Sequence, residues 1–214
     1  MERENKKGDV AALHREKILE AAHGLFCRDG FAATSISGLS AASHYSRRTI
    51  YAYFESKEDI LHHLIEKGLL TLKADLKAAV AAQGTFANRL FAVFRAIGKY
   101  QERYSLSAEN VQTANADLLQ AAHPTAAQKR ILVLGEDINR LLAAFIEDGK
   151  RDGTVRQSVI SPLAVQILYA GVSALYTLAD SKSAYLQQAF ALSREEFLQY
   201  GFRQLADSIL EVRS

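Results

Sequence analysis

The stretch "SHYSRRTIYAYFESKED", residues 43–59, gathers two arginines and three tyrosines and holds no acidic residue before Glu55. From Gly30 to Phe54 the only formally charged side chains are Arg47 and Arg48. The chain as a whole is nearly balanced, with 26 Lys+Arg against 24 Asp+Glu in 214 residues and a formal net charge of +2. A balance that mild draws no polyanion through the field of the whole molecule. Any anionic partner must therefore be met locally, and this acid-free patch is the place for it.

The flanks predict helices around the patch. Ser46 is a hydroxyl cap for a short third helix, and Ser56-Lys57-Glu58-Asp59 sets a second hydroxyl ahead of acids, close to a capping box, at the start of a longer fourth helix carrying Ile60, Leu61, Leu64 and Ile65. Upstream, Ile18, Ala21, Ala22, Leu25 and Phe26 share one face of a first helix from about Val10 to Arg28, with Gly30 as its stop. "FAATS" leads to a short second helix, capped by Ser35 or Thr34, whose Ile36, Leu39 and Ala42 face inward and whose Gly38 weakens it. Short helices joined by a sharp turn form a helix-turn-helix, which presents its third helix to the major groove of DNA.

Residue types in the patch suit that role. Arginine grips guanine edges bidentately or neutralises phosphate, and tyrosine and serine hydroxyls donate to phosphate oxygens. A carboxylate there would be repelled. The competing possibilities are a β-prone "TIYAYF" run and tyrosines packed in a core beneath two solvated arginines. No second strand candidate lies nearby to pair with such a run, and capped helices bracket it. The candidate DNA-contacting set is Thr34, Ser35, Ser37, Tyr45, Ser46, Arg47, Arg48, Thr49, Tyr51, Tyr53 and Lys57.

Beyond the patch the chain reads as all-α. Its two prolines, Pro124 and Pro162, fall near helix starts, and long alternating strand patterns are absent. Gly84 breaks the fourth helix from a fifth of about five turns bearing Phe86, Leu90, Phe91, Phe94 and Ile97. Ile131, Leu134, Ile138, Leu141 and Phe145 form another stripe, which ends in the glycine loop "EDGKRDGTVR". "QSVISPLAVQILYAGVSALYTLA", residues 157–179, is uncharged and long enough to span a bilayer. Its serines, glutamines, proline and threonine instead predict a buried core helix touched on several sides, with no membrane partner. Leu198, Phe202, Leu205, Ile209 and Val212 have the seam spacing of a last packed helix. The expected organisation is a three-helix helix-turn-helix domain over 1–60 and a helical bundle over 61–214.

About half the residues are hydrophobic, enough for a substantial core. A single Cys27 forms no internal disulfide, and the N-terminal "MERENKKGDV" lacks the apolar run of a secretory signal, so a reducing cytoplasm is expected. His62 and His63 are adjacent and point apart, unlike a metal pair three or four residues apart. No nucleophile elbow, zinc-protease, Walker or dinucleotide motif occurs. A helical enzyme with a dispersed site and an architectural DNA binder without a ligand remain the rivals. Neither a cofactor nor a metal is expected.

The N-terminal segment "ILEAAHGLFCRDGFAATSISGLSAAS…SRRTIYAYFESKEDIL" resembles the DNA-binding head of the tetracycline-repressor (TetR) family of bacterial transcription regulators, through "ILEAA", "LF", "G", "TS", "TIY", "YF" and "SKE" over about residues 14–65. The resemblance implies a C2 homodimer that reads palindromic operator half-sites in double-stranded DNA and a variable helical body that dimerises and binds a small-molecule inducer. Matched by position, Tyr45 to Thr49 and Tyr51 fall in the recognition turn and helix, Tyr53 and Lys57 are implied phosphate contacts, and Ile50 and Phe54 are core. His44 stands where the family's turn has glycine, and Gly38 where its second helix has a polar residue. In the body, Phe91, Phe94, Tyr104, Asn110, Tyr169 and Tyr176 are candidate inducer contacts, among further aromatics and the polar Gln112, Asn115 and His123. The uncharged segment and the last helix are the expected dimer interface.

Overall fold

The computed structural model describes residues 2–104 and 124–211, where the secondary structure is helical apart from one isolated antiparallel bridge, Val155 with Leu210. The chain forms two compact units, Met1–Gly68 with Tyr104–Leu132, and Leu69–Arg103 with Val133–Ser214.

In the first unit, helix α1 spans Glu2–Asp29, α2 Ile36–Ser43, α3 Arg47–Tyr51, and α4 Lys57–Ala81 begins here and runs into the second unit. Ile18, Ala22 and Phe26 of α1 are buried together with Leu39, Ile50, Phe54, Ile60 and Leu64, one or two from each following element. That distribution makes a small core whose removal from water at about 25 cal/mol per Å2 holds the two short helices, α2 and α3, which would not persist alone. Helix α1 starts well before the expected Val10. Its first turns are rich in Glu and Lys, which favour helix without an apolar stripe to announce it. Helix α2 buries Leu39 and Ser43, whereas Ala42, expected inward, is exposed. The Ser43 hydroxyl donates to Leu39 O at 2.7 Å, so the small polar side chain is satisfied in place.

The second unit holds the rest of α4 with α5 Phe86–Tyr104, α6 Ala126–Arg151, α7 Ser161–Ser181, α8 Ser183–Phe190 and α9 Arg194–Asp207, less the few residues of α5 and α6 that fall in the first unit. Helix α8 has no apolar period because only Leu186 is buried, and it stops at Ala191 with φ 53°. Helix α9 also ends before the expected seam runs out. Ile209 is buried in the turn after it, and Leu210 enters the bridge, with Glu211 N donating to Thr154 O at 2.8 Å. Val212 lies outside the described residues.

Helices α7 and α9 cross closely. A Cβ at Gly171 would come within 2.6 Å of Leu205, and one at Gly201 within 2.5 Å of Leu175, so each glycine is the socket for a leucine of the other helix. Helix α7 is buried on one side only, through Ala164, Val165, Leu168, Val172, Tyr176 and Ala179. Leu163, Ile167 and Leu178 on its other side are 57%, 64% and 42% exposed, which corrects the expectation of a core helix covered from several directions. Among the described residues it is the one helix long and apolar enough to cross a membrane.

Candidate nucleic-acid interface

The turn between α2 and α3 depends on one strained residue. His44 ends α2 in the left-handed region, φ 59° and ψ 19°, where glycine is usual and histidine is tolerated. Two side chains hold the turn beside it: Ser40 Oγ donates to Tyr45 O at 2.7 Å and Tyr45 N donates to Ser43 Oγ at 3.4 Å. Ser46 then caps α3 by accepting from Thr49 N at 3.1 Å, and the two hydroxyls hydrogen-bond at 2.8 Å.

Helix α3 is one turn long and is fixed by Ile50, which is fully buried. With Ile50 inward, Arg47 and Arg48 are left exposed, and Tyr51 is 54% exposed. Arg47 and Tyr51, four residues apart, share a face. No carboxylate within α3 tempers the cations, and the first acid after them, Glu55, follows the helix.

Tyr45 and Tyr53 flank α3 and meet over a residue that spacing did not reveal. His14 of α1 lies with its Nδ1 3.1 Å from the Tyr53 hydroxyl, and its ring is centred 5.1 Å from that of Tyr45 and 5.9 Å from that of Tyr53. A histidine 39 positions upstream carries no local signal of this contact. It orients the Tyr53 hydroxyl and ties the recognition turn to α1.

Two expected DNA contacts have other work. Lys57 Nζ donates to Phe31 O at 2.8 Å and Thr34 O at 2.9 Å, with Ala32 O at 3.4 Å, and sits 4.3 Å from the Phe31 ring centroid. An ammonium has three N–H donors, and here they tie down the α1–α2 loop. Thr34 is buried, and its hydroxyl donates to Gly30 O at 2.8 Å. Ser35 is the α2 cap, accepting from Gly38 N at 3.1 Å, and both Ser35 and Ser37 are exposed. The start of α4 is capped through Ser56 Oγ, which accepts from Asp59 N at 3.1 Å.

The candidate inducer contacts disperse. Phe94 and Tyr169 line one narrow apolar cavity of the second unit, whose lining does not include Phe91 or Tyr176. Gln101 Nε2 donates to the Tyr169 hydroxyl at 3.2 Å and to Ser173 Oγ at 2.8 Å, and burial raises the Tyr169 pKa above the usual tyrosine value. Tyr176 packs against Phe202 with Arg194 5.3 Å from its ring centroid. The Tyr104 ring meets His23 at 5.8 Å. Asn110, Gln112, Asn115 and His123 lie outside the described residues.

Residues 18–64, which contain α2, α3 and the turn between them, match the family model of bacterial regulatory proteins of the tetR family. The chain is similar to two uncharacterized HTH-type transcriptional regulators of Bacillus subtilis. YfiR is 40% identical over 64 residues, covering 28% of this chain and only 31% of that protein, and YhgD is 25% identical over 146 residues, covering 68% and 74%. Among solved structures, the ketosteroid transcriptional regulator KstR2 of Mycobacterium tuberculosis superposes with a TM-score of 0.69 at 17% identity, covering 92% of this chain and 95% of that one. A TetR transcriptional regulator of Chloroflexus aurantiacus gives 0.67 at 18% identity, covering 95% and 100%. At such identities the structural likeness concerns the fold. The family match on the head, the regulator relatives and the shared helical fold agree, and residues 18–64 are a DNA-binding head of the kind described for bacterial regulatory proteins of the tetR family.

Proposed function

We propose that the chain is a cytoplasmic repressor that binds a palindromic operator as a homodimer and is released by a small-molecule inducer. The observation that carries the DNA half of this function is the pairing of a buried Ile50 with exposed Arg47, Arg48 and Tyr51 on an acid-free one-turn helix. Arg48 reads a base edge, and Arg47, Tyr51, Ser46 and Tyr45 hold the backbone. The rival helical enzyme is set aside by the DNA-binding head.

The dimer rests on the second unit. The outward faces of α7 and α9 form a groove of about 360 Å3 lined by Gly171, Leu175, Leu178, Phe197, Tyr200 and Leu205. An apolar surface of that extent is costly to leave in water, and a two-fold axis lets the same patch cover itself. Paired heads would then meet successive major-groove turns about 34–36 Å apart. An inducer that favours a different separation lowers operator affinity, and the operator lowers inducer affinity by the same factor.

Selection of bound duplexes from random DNA by the purified protein tests this function. The expected product is a two-fold symmetric sequence with half-sites one helical turn apart. Enrichment of no sequence, with affinity equal across the pool, would favour the architectural DNA binder instead.

A further inference from the structure

Helices α7, α8 and α9 border a hollow walled by Leu178, Lys182, Tyr185, Leu186, Phe190 and Phe197. It has room of about 320 Å3, against about 20 Å3 in the cavity walled by Phe94 and Tyr169. Small-molecule sites begin at about 300 Å3, so the first can take a compact ligand and the second cannot. Lys182 is the one residue between α7 and α8, and its φ of −117° interrupts the helix there. One turn on, Leu186 is buried as the floor, while Tyr185 and Phe190 are 58% and 59% exposed. Their rings meet edge to face at 5.8 Å, and half-buried Phe197 brings α9 into the wall.

Three aromatic rings and two leucines therefore surround one recess, and the single charge on its walls is the Lys182 ammonium. The acids close to Lys182 in sequence are engaged elsewhere. Asp180 pairs with Arg194 at 2.7 Å, and Glu196 accepts from Ser193 N at 2.8 Å and Ser193 Oγ at 2.6 Å. Neither the Phe94 cavity nor the groove between α7 and α9 has a charged wall residue, so position, with room beside it, distinguishes this lysine. A second copy of the chain suits the hollow poorly. A two-fold axis through it would set Lys182 against its own copy, with no carboxylate on the walls to receive either.

We propose that this hollow is a ligand site for an aryl carboxylate, its ring held among Leu186, Phe190 and Phe197 and its carboxylate at the Lys182 ammonium. The proposal deepens the inducer part of the proposed function, on which it rests, by giving the inducer a chemical class and a place. Leu178 and Phe197 also wall the groove assigned to the dimer, so ligand and partner copy act on the same two side chains. That is a direct route from ligand to assembly.

The test is calorimetric titration of the full-length protein with 2-naphthoate, 2-naphthamide and octanoate. The acid is expected to bind about two- to fivefold more tightly than the amide, the range of a solvent-exposed ion pair, with the preference fading as salt is raised. Octanoate, an acid without a ring, is expected to bind more weakly than naphthoate. Lys182→Met erases the preference for acid over amide, Lys182→Arg keeps it, and Phe190→Ala weakens acid and amide alike. Both positions are exposed, and circular dichroism shows whether the variants fold. Without naphthoate, Lys182→Met binds duplex DNA as the wild type does, so failure of this site leaves DNA binding standing. Naphthoate that binds through Lys182 without changing DNA affinity upholds the site and removes only the inducer role. The proposal is overturned if naphthoate does not bind, if acid and amide bind alike, if octanoate binds as tightly, or if folded Lys182→Met retains the preference. It is overturned in favour of a partner copy if naphthoate does not bind and Phe190→Ala turns a sedimenting dimer into a monomer. Where a variant does not fold, the comparison of acid with amide on the wild type decides alone.

Discussion

Lys57 and Arg48 lie near one another in sequence and are both cations, yet their surroundings divide them. Lys57 spends its donors on the carbonyls of the α1–α2 loop, whereas Arg48 is exposed on α3. Replacing Lys57 with methionine is therefore expected to destabilise the head by about 1.5–3 kcal/mol, the usual range for hydrogen bonds to a charged group. Urea unfolding measures that, and DNA affinity of the folded fraction should stay close to wild type. Arg48→Ala has the opposite signature: unchanged stability and an operator affinity weaker by about 1–3 kcal/mol, read by fluorescence anisotropy on the selected duplex. The exposed cations of α3 were legible in the sequence because acids are missing around them. The role of Lys57 was not, since its partners lie more than twenty positions upstream. His14 escaped for the same reason.

His63 gives the head a pH dependence. Burial holds its pKa below the ordinary histidine value, against the pull of Asp59 and Glu66 and with the help of Arg15 and Arg130. The folded head thus binds fewer protons than the unfolded chain, and the stability due to His63 is full above about pH 6.5 and lost as pH falls through the lower folded value. Replacement of His63 by phenylalanine should flatten thermal stability between neutral and mildly acidic pH. A wild-type midpoint that rises on acidification would contradict the assignment.

At the scale of elements, the recognition turn trades backbone strain for position. A non-glycine residue in the left-handed region costs about 1 kcal/mol, and His44 bears it at φ 59°. His44→Gly should stabilise the head by about 0.5–1 kcal/mol in urea unfolding, while a loss of stability would mean that the His44 side chain supplies more than the strain removes. Helix caps carried the elements that sequence located well: Ser35, Ser46 and Ser56 each accept a backbone N–H where expected. Helix α8 and the early turns of α1 were illegible because neither has an apolar stripe. The last helix was drawn too long because Ile209 keeps the spacing of Phe202 and Leu205 while being buried from a turn.

For the whole molecule, the apolar outer face of α7 is the feature that most needs a partner. Periodicity marked the helix but could not say how much of it the chain itself would cover, since that depends on the Gly171 and Gly201 sockets that bring α9 against it. Leu178, 42% exposed and on the groove, is not required by the fold of one copy. Leu178→Glu should leave helicity intact and shift sedimentation from dimer to monomer, with operator affinity falling as the dimer is lost. A wild-type chain that sediments as a folded monomer at micromolar concentration would contradict the assembly.

The central claim is that α3 enters a groove of DNA with its two arginines foremost. Its most direct test is the salt dependence of binding to the selected duplex, compared between wild type and the Arg47→Ala/Arg48→Ala variant, with circular dichroism to show that the variant folds. The account predicts a strong fall of affinity with salt for the wild type, and for the variant both weaker binding and a slope shallower by about one unit for each phosphate contact removed. Identical affinity and slope for the two proteins would contradict it.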